Sequence, residues 1–253
     1  MSKTILMVHG MWGGGWIWEP LKNHLQEQGY HCIAPTLRYH DISPSDTPDP
    51  RLGNTSLADY VEDLCQLIAT LDEKPIAIGH SMGGMIVQLL AQKGVLAGMI
   101  LCAPAPPSDI PALSWGGIKS FAGLIRQWGF WRKPHRPSFA SMVYSSLQLI
   151  PQEQRQHYYD QVVYDSGRAV VEIALPFLDR NHTTRVDEAN VTCPALVLAG
   201  GRDCLIPLKA IGKVAKKYGA DFNVLEDQTH WLVIETGWQQ AAAMIEKWLA
   251  KNA

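Results

Sequence analysis

The chain has 253 residues, with 22 Lys and Arg against 24 Asp and Glu. That length can bury a sizeable core, as one domain with an insertion or as two domains. The near-balanced charge gives no electrostatic basis for a nucleic-acid partner or an anionic membrane. No apolar run approaches the ~18 residues that suggest a membrane span. Five cysteines without a Cys-x-x-Cys pair, and an opening Met-Ser-Lys-Thr that leads directly into a strand without a signal-peptide-like region, predict reduced thiols and a cytoplasmic protein.

Ile5-Leu6-Met7-Val8 is a short apolar run suited to a buried parallel strand, and it ends in His9-Gly10-Met11-Trp12-Gly13-Gly14-Gly15-Trp16. The glycines are not spaced as G-x-G-x-x-G, nor do they precede Gly-Lys-Ser/Thr, so a nucleotide loop is disfavoured. A backbone nest of N–H groups at the strand end is the better reading. A helix is expected from Pro20 to Gln28 with Gly29 as its stop, then a strand at His31 to Pro35 and a Pro/Asp/Ser-rich loop from Asp41 to Asn54. Ser56-x-x-Asp59 resembles a capping box, and Leu57, Val61, Leu64, Ile68 and Leu71 carry the helical period.

Pro75 to Gly79 leads as a strand into Gly79-His80-Ser81-Met82-Gly83, and Met85 to Leu90 leaves it as a helix. Gly-x-Ser-x-Gly between strand and helix is a nucleophile elbow: the serine sits on a strained turn, and glycines two residues either side remove the Cβ atoms that would collide. Met99 to Cys102 is the next strand. From Pro104 to Asn190 the chain turns aromatic and helix-like, with Trp115, Phe121, Trp128, Phe130 and Trp131 close together. Phe139, Met142, Val143, Leu147 and Ile150 fall on one helical face, a helix is expected from Pro151, and another from Gly167 to Leu178. This segment reads as a helical lid (104–190) inserted between two parts of an α/β core, 1–103 and 191–253. Pro194 to Ala199 returns to strand and ends at Gly200-Gly201-Arg202-Asp203. A helix (Pro207 to Tyr218), a short strand (Asp221 to Leu225), the loop Asp227-Gln228-Thr229-His230-Trp231 and a closing helix (Gly237 to Leu249) follow.

Alternating strands and helices predict a mostly parallel sheet covered on both faces, whose strand C-termini share one edge. His9-Gly10, Ser81, Asp203 and His230 each follow a strand, so four distant pieces meet on that edge. A serine hydroxyl needs a base within hydrogen-bond reach, and an imidazole titrating near neutrality can be that base. A carboxylate can hold its tautomer. Ser81, His230 and Asp203 are therefore the candidate catalytic residues, with Asp227 next in line for the acid. No His-x-His or His-Glu-x-x-His pattern exists, so neither a metal nor a cofactor is expected. The Trp115, Trp128 and Trp131 rings are candidate substrate-binding residues of the lid, and the expected partner is a small molecule.

These residues resemble the α/β-hydrolase superfamily over nearly the whole chain outside the lid. The His-Gly-x-x-Gly-Gly-x-Trp pattern and the short lead-in are similar to its plant esterase and hydroxynitrile-lyase group. The resemblance implies a six-stranded sheet, in spatial order 4-3-5-6-7-8 by the superfamily's strand names. It also implies an oxyanion hole made by the N–H groups of Met11 and Met82, with Trp12 as runner-up for Met11 and as a substrate contact. The lyases carry a lysine directly after the catalytic histidine where this chain has Trp231, which favours hydrolysis of an ester or thioester. Lactone, amide or carbon–carbon cleavage, or a ligand receptor with little turnover, remain open on the same fold.

Overall fold

The computed structural model describes residues 3–252. Four strands of its main sheet are parallel runs buried along their whole length, β1 (Thr4–Val8), β3 (Ile76–His80), β4 (Gly98–Cys102) and β7 (Ala195–Gly200), while β8 (Asp221–Leu225) lies at an edge and only Leu225 of it is buried. With β2 (His31–Ile33) at the other edge, the order is β2-β1-β3-β4-β7-β8, and every pairing is parallel. That is the order the resemblance implies.

Side-chain alternation divides the sheet's two faces. Leu6, Val8, Ala77, Met99, Leu101 and Val197 pack with one layer of helices: α2 (Leu57–Ile68), α3 (Met82–Gln92) and α8 (Leu208–Tyr218). Their neighbours Ile5, Met7, Ile78, Ile100 and Leu198 pack with α1 (Glu19–Glu27) and α9 (Trp238–Asn252) on the other face. Apolar side chains on both faces are what a central parallel strand requires. The Ser56–Asp59 capping box at the start of α2 is present with both of its hydrogen bonds. The closing helix runs three residues past Leu249, because nothing in Ala-Lys-Asn breaks it.

The segment between β4 and β7 is less helical than the sequence suggests. It holds α4 (Trp115–Ile125), α5 (Phe139–Ser145), α6 (Arg155–Tyr159) and α7 (Gly167–Ala174), but also a two-stranded antiparallel ribbon of β5 (Pro134–His135) and β6 (Asp165–Ser166). The expected helix from Gly167 to Leu178 ends at Ala174, because Pro176 disfavours helical geometry at Leu175, and a 3-10 turn follows. The helix expected from Pro151 starts as a 3-10 turn before α6. Glu172 on α7 ties this segment to the core: its carboxylate accepts Ser56 Oγ at 2.7 Å and the Leu57 N–H at 2.8 Å, an anion at the N-terminus of α2.

Candidate active site

Ser81 sits between β3 and α3 with φ 53° and ψ −117°, a conformation an L-residue adopts only under constraint. Three backbone hydrogen bonds impose it. The Ser81 N–H donates to Cys102 O at 3.1 Å, and Ser81 O accepts from Met85 and Ala105 at 3.2 and 2.9 Å. The flanking glycines are there for space. A methyl group at Gly83 would overlap the carbonyl oxygens of Val8 and His9, and one at Gly79 would overlap that of Gly83.

The loop after β8 brings His230 to this serine. His230 Nε2 lies 3.0 Å from Ser81 Oγ, and Nδ1 lies 2.8 Å from Asp203 Oδ2. An ionised carboxylate can only accept, so Nδ1 carries the proton and Nε2 faces the hydroxyl as acceptor. Asp203 and His230 are buried, so this line of bonds is shielded from bulk water. The other oxygen of Asp203 accepts the N–H groups of Leu205 and Ile206, at 2.7 and 3.1 Å. The aspartate therefore organises its own loop as well as the imidazole. Asp227 is paired with Arg202 at 2.6 Å on the surface.

Gly10 lies against the elbow: a Cβ there would be 3.0 Å from Ser81 Cβ. The adjoining Met11 N–H and the Met82 N–H, at the first turn of α3, have no hydrogen-bond acceptor among the described residues. Two unoccupied donors beside a serine hydroxyl have the geometry that can stabilise an oxyanion. Trp12 is corrected as an alternative to Met11. Its N–H already donates to Asp165 Oδ2 at 2.9 Å. Its ring is buried against Phe121 of α4, with centroids 5.5 Å apart.

The lid tryptophans are a second correction. Trp115 is 82% and Trp128 86% exposed, and Trp131 is packed edge-on against Trp128 and Phe130 at the surface. Trp115, Ile118 and Ile125 of α4 are exposed, whereas Phe121 of the same helix is half-buried against Trp12. Aromatic density in a sequence does not say which stripe faces in. Trp231 is buried and meets Trp16 and Tyr158 edge-on.

Two buried histidines went unassigned in the sequence. His80 Nε2–H donates to the His230 carbonyl at 2.9 Å and so anchors the loop that carries His230. His9 accepts the Leu37 N–H at Nε2 (3.0 Å), which places its proton on Nδ1, donated to Gly10 O at 2.8 Å. Burial, reinforced by a neighbouring histidine in each case, lowers both pKa values to about 3.

A histidine buried neutral binds its proton in the unfolded chain well before it does in the folded one. As pH falls from 6.5 towards 3, stability is lost at up to ~1.4 kcal/mol per pH unit per histidine. Glu172 and Glu235, whose carboxyls burial pushes up from 4.5, act in the opposite sense just above that value. The test is therefore a difference. His80→Gln keeps a donor for the His230 carbonyl and should lose stability less steeply than wild type between pH 6.5 and 5, as urea unfolding would measure.

A parallel sheet in this order, with a serine on a strained strand-to-helix turn and an aspartate and a histidine on later strand-end loops, defines an α/β-hydrolase architecture. The model of the Alpha/beta hydrolase family matches residues 5–244, and the chain belongs to that family. Over 113 residues, 42% of each chain, it is 35% identical to salicylic acid-binding protein 2 of Nicotiana tabacum. Over 129 residues, 48% of each chain, it is 33% identical to methylesterase 18 of Arabidopsis thaliana. These matches span less than half the length of either relative. A crystal structure of polyneuridine aldehyde esterase superposes with TM-score 0.71 at 17% identity, covering 97% of this chain and 100% of the other. A pyrethroid hydrolase from Sphingobium faniae JZ-2 does so with TM-score 0.72 at 17% identity, over 97% of both chains. Among the described residues, no helix is long and apolar enough to cross a membrane, and no group of three His, Cys, Asp or Glu is placed to hold a metal.

Proposed function

We propose that the chain is a serine hydrolase that cleaves a carboxylic ester or thioester of a small, fairly apolar substrate through an acyl-enzyme on Ser81. The observation that carries this reading is the continuous line Ser81 Oγ, His230 Nε2, His230 Nδ1, Asp203 Oδ2, with separations of 3.0 and 2.8 Å. Ser81 Oγ attacks the carbonyl carbon while its proton passes to His230 Nε2. Asp203 faces the imidazolium so formed, and the Met11 and Met82 N–H groups receive the negative oxygen. The intermediate expels the alcohol or thiol, which takes the proton from His230. Water, deprotonated by the same nitrogen, then releases the acid.

Relatives named as esterases and methylesterases favour a small carboxylic ester over an amide. Trp231 places an indole directly after the base, so this position supplies no ammonium group to stabilise a cyanide leaving group. The segment 104–190 acts as the lid that shapes the acyl or leaving-group side, with its Phe121 packed on Trp12 of the loop after β1.

The experiment is a panel of methyl, short-chain aryl and thio esters, assayed with wild type beside Ser81→Ala. Turnover confined to the wild type supports the reading. Tight binding of the panel with no turnover would replace it with a ligand receptor.

A further inference from the structure

A buried ion pair lies beside the proposed oxyanion hole, and the chemistry described above does not use it. Asp165 comes from the lid ribbon and His40 from the loop after β2. His40 Nε2 is 3.0 Å from Asp165 Oδ2, an ionic contact whose angle is not that of a hydrogen bond, and both side chains are fully buried. His40 Nδ1 donates to Arg38 O at 3.0 Å, and Asp165 Oδ1 accepts the Ser166 N–H at 2.6 Å. Burial opposes charge on both groups. The facing partner outweighs it, raising the pKa of His40 and, with the N–H groups of Trp12 and Ser166, lowering that of Asp165.

The same Oδ2 accepts the Trp12 N–H at 2.9 Å, while the Trp12 carbonyl accepts the Val163 N–H at 3.0 Å. Two lid residues thus grip one residue of the loop after β1, and that residue holds a positive φ of 62° without being glycine. In a trans peptide the N–H and C=O point in opposite directions. His9 Nδ1–H holds Gly10 O, which sends the Met11 N–H of that peptide to the other side. Asp165 holds the Trp12 N–H, which keeps the Met11 carbonyl of the next peptide turned away from the carboxylate. The Gly13 N–H also donates to Gly10 O, at 3.3 Å, closing a turn over Met11 and Trp12, so releasing the second peptide would loosen the turn that positions the Met11 N–H.

We propose that Asp165, oriented by His40, is a positioning residue through which the lid sets the Met11 half of the oxyanion hole. This rests on the serine-hydrolase reading. It goes beyond it in making the lid part of the catalytic geometry as well as of the pocket. The residue touches neither substrate nor nucleophile, so its loss should leave ground-state binding alone and weaken what forms only in the transition state.

The test compares wild type, Asp165→Ala, Asp165→Asn and His40→Gln on one turned-over ester, with kcat, KM and the inhibition constant of an aryl trifluoromethyl ketone. That ketone adds to the serine and places an oxyanion in the hole. Wild-type turnover is read first: its absence counts against the hydrolase reading itself. For Asp165→Ala the expected result is a fall in kcat of about 10²- to 10³-fold with ketone affinity falling in step and KM nearly unchanged. Asp165→Asn, whose amide oxygen still accepts the Trp12 N–H without the charge, should fall in between, and it decides the matter if the alanine variant does not fold. A folded Asp165→Asn with wild-type kcat and ketone affinity would overturn the proposal, as would a loss seen in KM alone.

Discussion

Ser81→Ala should lower kcat by about 10⁴- to 10⁶-fold, leave the fold intact and leave substrate affinity close to wild type. The hydroxyl is the only atom removed, and the alanine methyl occupies the Cβ position already present. The elbow is built from backbone bonds to Cys102, Met85 and Ala105, none of which involves the side chain. Relief of like interactions should be small, so thermal unfolding should shift little. Single-turnover kinetics with the best ester of the panel would measure the loss. A residual rate near wild type, with contaminating esterase excluded, would place the nucleophile elsewhere.

Asp203→Asn is the second large effect expected, a drop in kcat of up to about 10⁴-fold. Asp203 holds two positions at once, with one oxygen on His230 Nδ1 and the other on the Leu205 and Ile206 N–H groups. Asparagine can keep its oxygen on the two backbone donors, so the loop stays formed. Its NH₂ then faces Nδ1 and can only donate, which drives the imidazole proton to Nε2, where it blocks acceptance from Ser81. The signature is therefore a large kcat effect in a protein of near-normal stability. A variant of full activity would reduce Asp203 to a loop cap. Asp227 could not then replace it without rearrangement, since it is tied to Arg202 at the surface.

Much of this arrangement was legible in the sequence because it is local. Apolar strands, a Gly-x-Ser-x-Gly turn and an Asp and a His each just past a strand follow from spacing alone, and a parallel sheet brings strand ends to one edge whatever lies between them. The contacts that escaped are long-range pairings with no local pattern. His80 meets the His230 carbonyl across 150 positions, and Asp165 meets the Trp12 N–H across 153. A histidine inside the elbow reads as any x, and an aspartate in a lid as a surface charge, until burial shows that each must have a partner. The lid failed in a different way. Trp115, Ile118 and Ile125 of α4 are exposed although apolar, so aromatic density alone pointed to rings that lie at the surface. Pro176 was the stop signal passed over there, since the helix expected to reach Leu178 ends at Ala174 ahead of it.

The central claim is that Ser81 is a nucleophile activated by His230, and covalent labelling with a fluorophosphonate tests it without knowledge of the natural substrate. Intact-mass measurement followed by peptide mapping should find one adduct per chain, on Ser81. Labelling should be slowed by orders of magnitude in His230→Ala and absent in Ser81→Ala. An adduct mapped to another serine, or labelling of Ser81→Ala at the wild-type rate, would contradict it.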